Sequence, residues 1–207
     1  MKYLEIRSKL NNLPIFATKD IQVIDHNFNL NNLINWMDKG YIVPLRKNYY
    51  IFSDQISVHN LHFMIANCIY YPSYISLESA FAYYHLIPES VYTTTSISTR
   101  KTNEFNNPYG RFTFRTIKPE LFWGYKLIRN KSGNFLIADP EKSLLDFLYL
   151  NSHLSQTQDF FELRFNFPEF LSIATKEKLD KYLEFFNNNS LSIRVANFLK
   201  FYHNAQS

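Results

Sequence analysis

Residues 18–52 read TKDIQVIDHNFNLNNLINWMDKGYIVPLRKNYYIF, and this stretch decides the fold of the N-terminal part of the chain. Thr18 is suited to cap a helix, with Asp20 in the first turn, where a negative charge meets the positive end of the helix dipole. After a short gap, Leu30, Leu33, Ile34 and Met37 recur at helical spacing and define one apolar stripe. Gly40 follows the last periodic residue, where it can take the left-handed conformation that ends a helix. Two short strands come next, joined by Arg46-Lys47-Asn48, a hairpin with a basic tip. A helix over about residues 2–11 completes a set of three in front of the hairpin.

That order of elements reads as a winged helix-turn-helix. With Leu30, Leu33, Ile34 and Met37 turned inward, Asn31, Asn32, Asn35 and Lys39 lie on the opposite side. Amides on an exposed helix suit the reading of base edges, because Asn bonds adenine N6 and N7 together. Asn is also a poor helix former, so three of them in one helix need a reason other than helix stability. The competing account is a general Asn habit, visible again at Asn11, Asn12 and Asn187-Asn188-Asn189. Arg46 and Lys47 read as phosphate contacts, which set register without carrying sequence information, or else as an ordinary solvated turn.

At 207 residues the chain is long enough for one large or two small domains. Its 20 Phe and 15 Tyr supply a large apolar area, which argues against extensive disorder. The formal charge of +4 is unevenly spread: residues 97–131 hold eight cations against two carboxylates, whereas residues 57–96 hold no cation. Arg100, Lys101, Arg111, Arg115 and Lys118 therefore form a candidate second basic surface, open to DNA, to an acidic protein or simply to solvent. The single cysteine, Cys68, excludes an intrachain disulfide and favours a reducing compartment. No leader-like apolar run opens the chain, and no apolar stretch approaches the length of about 18 residues that a membrane span needs. The expectation is a soluble cytoplasmic protein without membrane contact.

Ser53-Asp54-Gln55 is a polar connection and marks the expected boundary between a winged helix over 1–54 and an α+β domain over 55–207. Beyond it, helical spacing predicts helices over 57–71 and from a Ser76 cap through Leu86, with Pro88 ending the pattern. The period then shifts toward two. Strands are predicted at 91–97, 111–116, 122–128 and 135–138, with Phe112 and Phe114 on one face of the second and Arg111, Thr113 and Arg115 on the other. Asp139-Pro140-Glu141 opens the next helix with the residues expected of a capped start. Two more helices fit about 175–187 and 190–202. The expected class is α+β: an N-terminal winged helix-turn-helix, then a mixed α/β domain with a small sheet and several helices.

Catalytic constellations are poorly represented. Asp139, Glu141 and Lys142 resemble a nuclease-like acid-acid-lysine set, but all three fall at one helix start, where capping accounts for them. The six histidines show no metal-ligand spacing with a second strong ligand. No phosphate-cradling glycine loop occurs among four glycines. The sequence points away from an enzyme and predicts neither cofactor nor metal.

Several segments, taken together, resemble a known family. Trp36-Met37-Asp38-Lys39-Gly40-Tyr41-Ile42 followed by Leu45-Arg46-Lys47-Asn48-Tyr49-Tyr50 is similar to a signature of AbiEi-type antitoxins, the regulator halves of AbiE (type IV) toxin–antitoxin pairs. The likeness continues through Ser73–Ala80, Leu86–Glu89, Tyr109–Phe112, Ile117–Tyr125 and Ala138–Asp146, in the same order over about residues 15–150. Asn48 stands where the family has glycine, and Asn tolerates the same left-handed turn. The resemblance implies a repressor that binds double-stranded DNA at repeats in its own promoter. It also implies a C-terminal domain that counteracts a nucleotidyltransferase-like toxin without a stable complex. Two alternatives stay open: a winged-helix protein-interaction module, and a transcriptional regulator with no antitoxin role.

Overall fold

The computed structural model describes residues 3–11, 13–55, 59–89, 91–130 and 133–204. The first six elements are α1 (Tyr3–Lys9), β1 (Ile15–Ala17), α2 (Thr18–Ile24), α3 (Asn31–Asp38), β2 (Ile42–Arg46) and β3 (Tyr49–Phe52). There follow α4 (Leu61–Ile69), β4 (Ser73–Ile75), α5 (Leu77–Tyr83), β5 (Thr93–Ser98), β6 (Asn103–Asn107) and β7 (Gly110–Thr116). The last third holds β8 (Tyr125–Asn130), β9 (Gly133–Ala138), α6 (Pro140–Leu150), α7 (Thr157–Glu162), α8 (Phe167–Ile173), α9 (Lys176–Phe186) and α10 (Asn189–Asn204). The start of the helix predicted over 57–71 lies outside the described residues, as do the first two residues of the chain.

The strands form an antiparallel three-stranded sheet in the order β1-β3-β2 and a mixed six-stranded sheet in the order β6-β7-β5-β4-β9-β8. The second sheet is larger than expected, because β4 and β6 carried no clear alternation of their own. β4 is buried along its whole length, and β6 is an Asn-rich edge strand held to β7 from Asn103↔Phe114 to Asn107↔Gly110.

The small sheet is buried on both faces, and its strands alternate accordingly. Phe16, Ile42 and Phe52 face α1, α2 and α3, joining Ile6, Leu10, Ile21, Phe28, Leu33 and Trp36. Ile15, Leu45 and Ile51 face α4 from the other side. α4 is sandwiched in turn, since its Leu61, Met64, Ile65 and Ile69 share one core with Phe112, Phe114, Phe135 and Ile137 of the large sheet. The far face of that sheet is covered by α5, α6 and the C-terminal helices, around Tyr74, Phe81, Leu144, Leu148 and Phe198. The segment expected as a boundary near residue 54 is therefore crossed by a continuous apolar core. Fully burying each of these large side chains contributes about 1.5–3 kcal/mol, so the N-terminal unit is fixed to the rest of the chain.

Several predicted helix starts shift by a residue or lose their cap. α2 begins at Thr18, so the residue before it is Ala17, whose N–H donates to the Asp20 carboxylate at 2.7 Å. The Ser76 hydroxyl does not cap α5; it donates to Asp146 at 2.9 Å. The strand predicted from Phe122 starts at Tyr125, because Gly124 turns the chain with φ +74.

Candidate nucleic-acid interface

α3 is defined at both ends by its own sequence. The Asn29 side-chain oxygen accepts the N–H of Asn31 at 3.0 Å, and Gly40 ends the helix with φ +69. The N–H of Gly40 donates to the Met37 carbonyl and that of Tyr41 to the Trp36 carbonyl, both at 2.9 Å. This is the paired closing pattern that a left-handed glycine allows.

The inward face of α3 differs from the predicted stripe. Leu33 and Trp36 are buried, whereas Leu30 is 46% exposed and Ile34 is 54% exposed. Two apolar registers were open to this helix, and the one containing Trp36 prevails because the indole buries the larger area. Its ring packs against Tyr3 at 5.2 Å and Phe28 at 5.4 Å between centroids. Relative to the expectation the helix is turned by less than one residue's rotation. Asn31 and Asn35 remain on the exposed face, Lys39 is exposed at the helix end, and Asn32 moves to a half-buried flank. Ile34 and Asp38 join the outer face in its place. The side-chain amides of Asn31 and Asn35 have no hydrogen-bond partner among the described residues.

The hairpin tip divides its two cations. Asn48 takes the left-handed conformation (φ 68), and its carbonyl accepts the N–H of Thr18 at 2.9 Å, which sets the tip against the start of α2. Lys47 is exposed there. Arg46, read as a phosphate contact, instead turns inward: its guanidinium donates to the Ile69 carbonyl and lies 4.3 Å from the Phe105 ring and 5.6 Å from Tyr70. The Asn107 side chain donates to the Leu45 carbonyl at 3.2 Å. Arg46 is thus a clamp holding the hairpin on α4 and β6, because the aromatic pair and a C-terminal helix carbonyl offer a cation better contacts than water.

The second basic surface is also partly engaged. Arg100 donates to the Tyr71 carbonyl at 3.2 Å and stacks over Tyr70 at 4.4 Å. Arg111 is held by Glu104 through two hydrogen bonds, at 2.8 and 2.7 Å, and this pairing keeps the Glu104 carboxyl below the usual glutamate range. Arg115 is half-buried and donates to the Leu150 carbonyl at 3.3 Å. Lys101 and Lys118 are exposed. A groove of about 450 Å³ brings Arg100 together with Lys19, Asp20, Tyr49, Cys68 and Tyr71. Burial pushes the Cys68 thiol up to about 11, so at neutral pH it carries no charge into that groove.

The acid-acid-lysine segment at the start of α6 is arranged otherwise than capping predicts. The Asp139 carboxylate makes no cap; it accepts from the Tyr182 hydroxyl at 3.0 Å and lies 3.1 Å from the Lys178 ammonium. Glu141 reaches α9, where it accepts the N–H of Thr175 at 3.0 Å. Lys142 is fully buried and paired with Asp146, which also accepts from Tyr74 and Ser76, each at 2.9 Å. Burial pushes the Asp146 carboxyl up and the Lys142 ammonium down, and the charge of each opposes the shift of the other. Among the described residues no group of three or more His, Cys, Asp or Glu side chains is placed to hold a metal ion, and no helix is long and apolar enough to cross a membrane. Sequence reasoning missed this interior network, because Lys142 and Asp146 at i,i+4 look like an ordinary surface pair.

No protein-family model matches this chain, and no curated protein matches it.

Proposed function

We propose that the N-terminal unit is a winged helix-turn-helix that binds duplex DNA through α3, and that the protein represses its own promoter. The observation that carries this reading is the outer face of α3. Asn31 and Asn35 stand one helical turn apart, exposed and without partners among the described residues, on a helix whose core contacts come from Leu33 and Trp36. Such amides suit the N6/N7 edge of adenine in a major groove. Lys39 and Lys47, both exposed, supply phosphate contacts nearby in the chain. A mobility-shift titration of the full chain with the DNA upstream of its gene tests the proposal. Binding that weakens steeply with added salt is expected, because neutralised phosphates release counterions. Absent or salt-insensitive binding overturns it.

The ordered resemblance over residues 15–150 extends the proposal to the antitoxin of a nucleotidyltransferase-like toxin. Its test is growth rescue: co-expression of this chain should relieve the toxicity of such a partner without a stable complex between the two. Failure to rescue removes the antitoxin role and leaves the repressor reading standing.

One observation favours a protein-interaction module instead. Val23 of α2 is 78% exposed, and the outer face of α3 also carries Ile34 and the carboxylate of Asp38, which a phosphate backbone repels. Capture of one stable protein partner, with no affinity for any duplex, would decide for it.

A further inference from the structure

The outer face of α3 holds one residue whose chemistry is unexplained by the fold. Ile34 sits between Asn31 and Asn35 with about half its surface in water, while Leu33 and Trp36 make the core contacts. A β-branched residue is no better for an exposed helix position than Ala, Glu or Lys, so helix stability does not call for it. In a major groove every base-edge group is polar except one: the 5-methyl of thymine.

Resting on the duplex-DNA reading above, we infer that Ile34 packs on a thymine 5-methyl group, so that α3 reads an A·T-containing step, with Asn31 or Asn35 on adenine beside it. Residues three apart on a helix are about 5–6 Å apart, and successive base pairs about 3.4 Å. Asn31 and Ile34 therefore reach the same base pair or adjacent ones. The partner so defined is B-form DNA carrying thymine, and the same sequence made with uracil lacks the group that Ile34 contacts.

The experiment uses the full chain and a duplex enriched by binding from a randomised DNA pool. Each thymine is replaced in turn by deoxyuridine, which removes the methyl and keeps every hydrogen-bonding group. One position is expected to weaken binding about fourfold, the effect of one methyl group left in water. Ile34→Ala should abolish that difference, Ile34→Val should retain it, and Asn35→Ala should weaken binding with the thymine preference intact. Because Ile34 is exposed, all three variants should melt with the parent. Equal binding of thymine and deoxyuridine duplexes at every position overturns the inference alone, as does an Ile34→Ala variant that keeps the preference. A chain that enriches no duplex from the pool overturns the repressor reading and this inference together.

Discussion

α3 and α6 are both short helices rich in polar residues, and they use those residues in opposite ways. On α3 only Leu33 and Trp36 are buried, and Asn31, Asn35 and Lys39 face water. On α6 every residue from Pro140 to Leu148 is buried, Glu141, Lys142, Ser143 and Asp146 included. Polar atoms of α6 find partners inside: the Lys142 ammonium donates to the Tyr74 hydroxyl and pairs with Asp146, which in turn accepts from Ser76, and it lies 5.1 Å from the Trp123 ring and 4.9 Å from that of Phe186. A run of charged residues is thus not by itself a surface. The segment most distinctive as a string, around Asp139–Asp146, builds an interior, while the plainer Asn-rich helix offers free hydrogen-bonding groups.

The largest difference between the two helices should appear on truncating one polar side chain in each. Asp146→Ala leaves Lys142 enclosed and without its counterion, which costs about 3–5 kcal/mol; urea unfolding measures it. Replacing both partners by apolar residues, Lys142→Met with Asp146→Leu, should recover most of that loss, since the desolvation penalty goes with the charges. A single-variant loss as small as that of a surface ion pair would mean the pair is hydrated. Asn35→Ala on α3 should leave stability within about 0.5 kcal/mol and instead cost about 1–3 kcal/mol in discrimination between DNA sequences. Unchanged discrimination would remove Asn35 from the reading face.

Arg46 sharpens the comparison, because it belongs to the hairpin that follows α3 yet is used as α6 uses its charges. Arg46→Ala removes a charged hydrogen bond and two ring contacts, and about 1–2 kcal/mol of stability should go with them. A phosphate contact would show otherwise: the slope of log affinity against log salt would fall by about 0.9 with little change in melting temperature. The clamp geometry predicts a lower melting temperature and an unchanged slope for Arg46→Ala, and the reverse for Lys47→Ala.

What the sequence made legible follows from which signals are local. Gly40 after Met37, Asn48 in the hairpin tip and Pro140 at the first position of α6 each act through their own backbone, and each stands where expected. Side-chain direction is different, because it depends on what arrives from elsewhere. Leu30 and Ile34 fit an apolar stripe as well as Leu33 and Trp36 do; Tyr3 and Phe28, packing on the indole, decide between them. Arg46 reads as a phosphate contact at an exposed tip until Phe105, about 60 positions later, supplies a ring. The same holds for Ser76, drawn from its helix start by Asp146. α7 and α8 escaped prediction because they are short, and their Phe160, Phe167 and Phe170 show little period before α10 packs on them.

The smallest effect belongs to Arg111, the exposed counterpart of these enclosed cations. Its guanidinium meets the Glu104 carboxylate across the β6–β7 edge, with both groups in water. The folded Glu104 carboxyl titrates below its unfolded value because Arg111 hydrogen-bonds its charged form. A depressed folded pKa means that the pair contributes above the ordinary glutamate pKa of about 4.3 and that the contribution is lost as pH falls through the folded value. Solvent and salt screen such a pair, so Arg111→Ala should leave the melting temperature at neutral pH almost unchanged. Its melting curve should merge with the parent's once the pH has fallen below the depressed folded value of Glu104, where the carboxyl is protonated in both. A neutral-pH loss comparable to that of Arg46→Ala would mean that the Asn-rich β6 depends on this pair to stay on the sheet. The arginine contrast would then turn on strand position instead of burial.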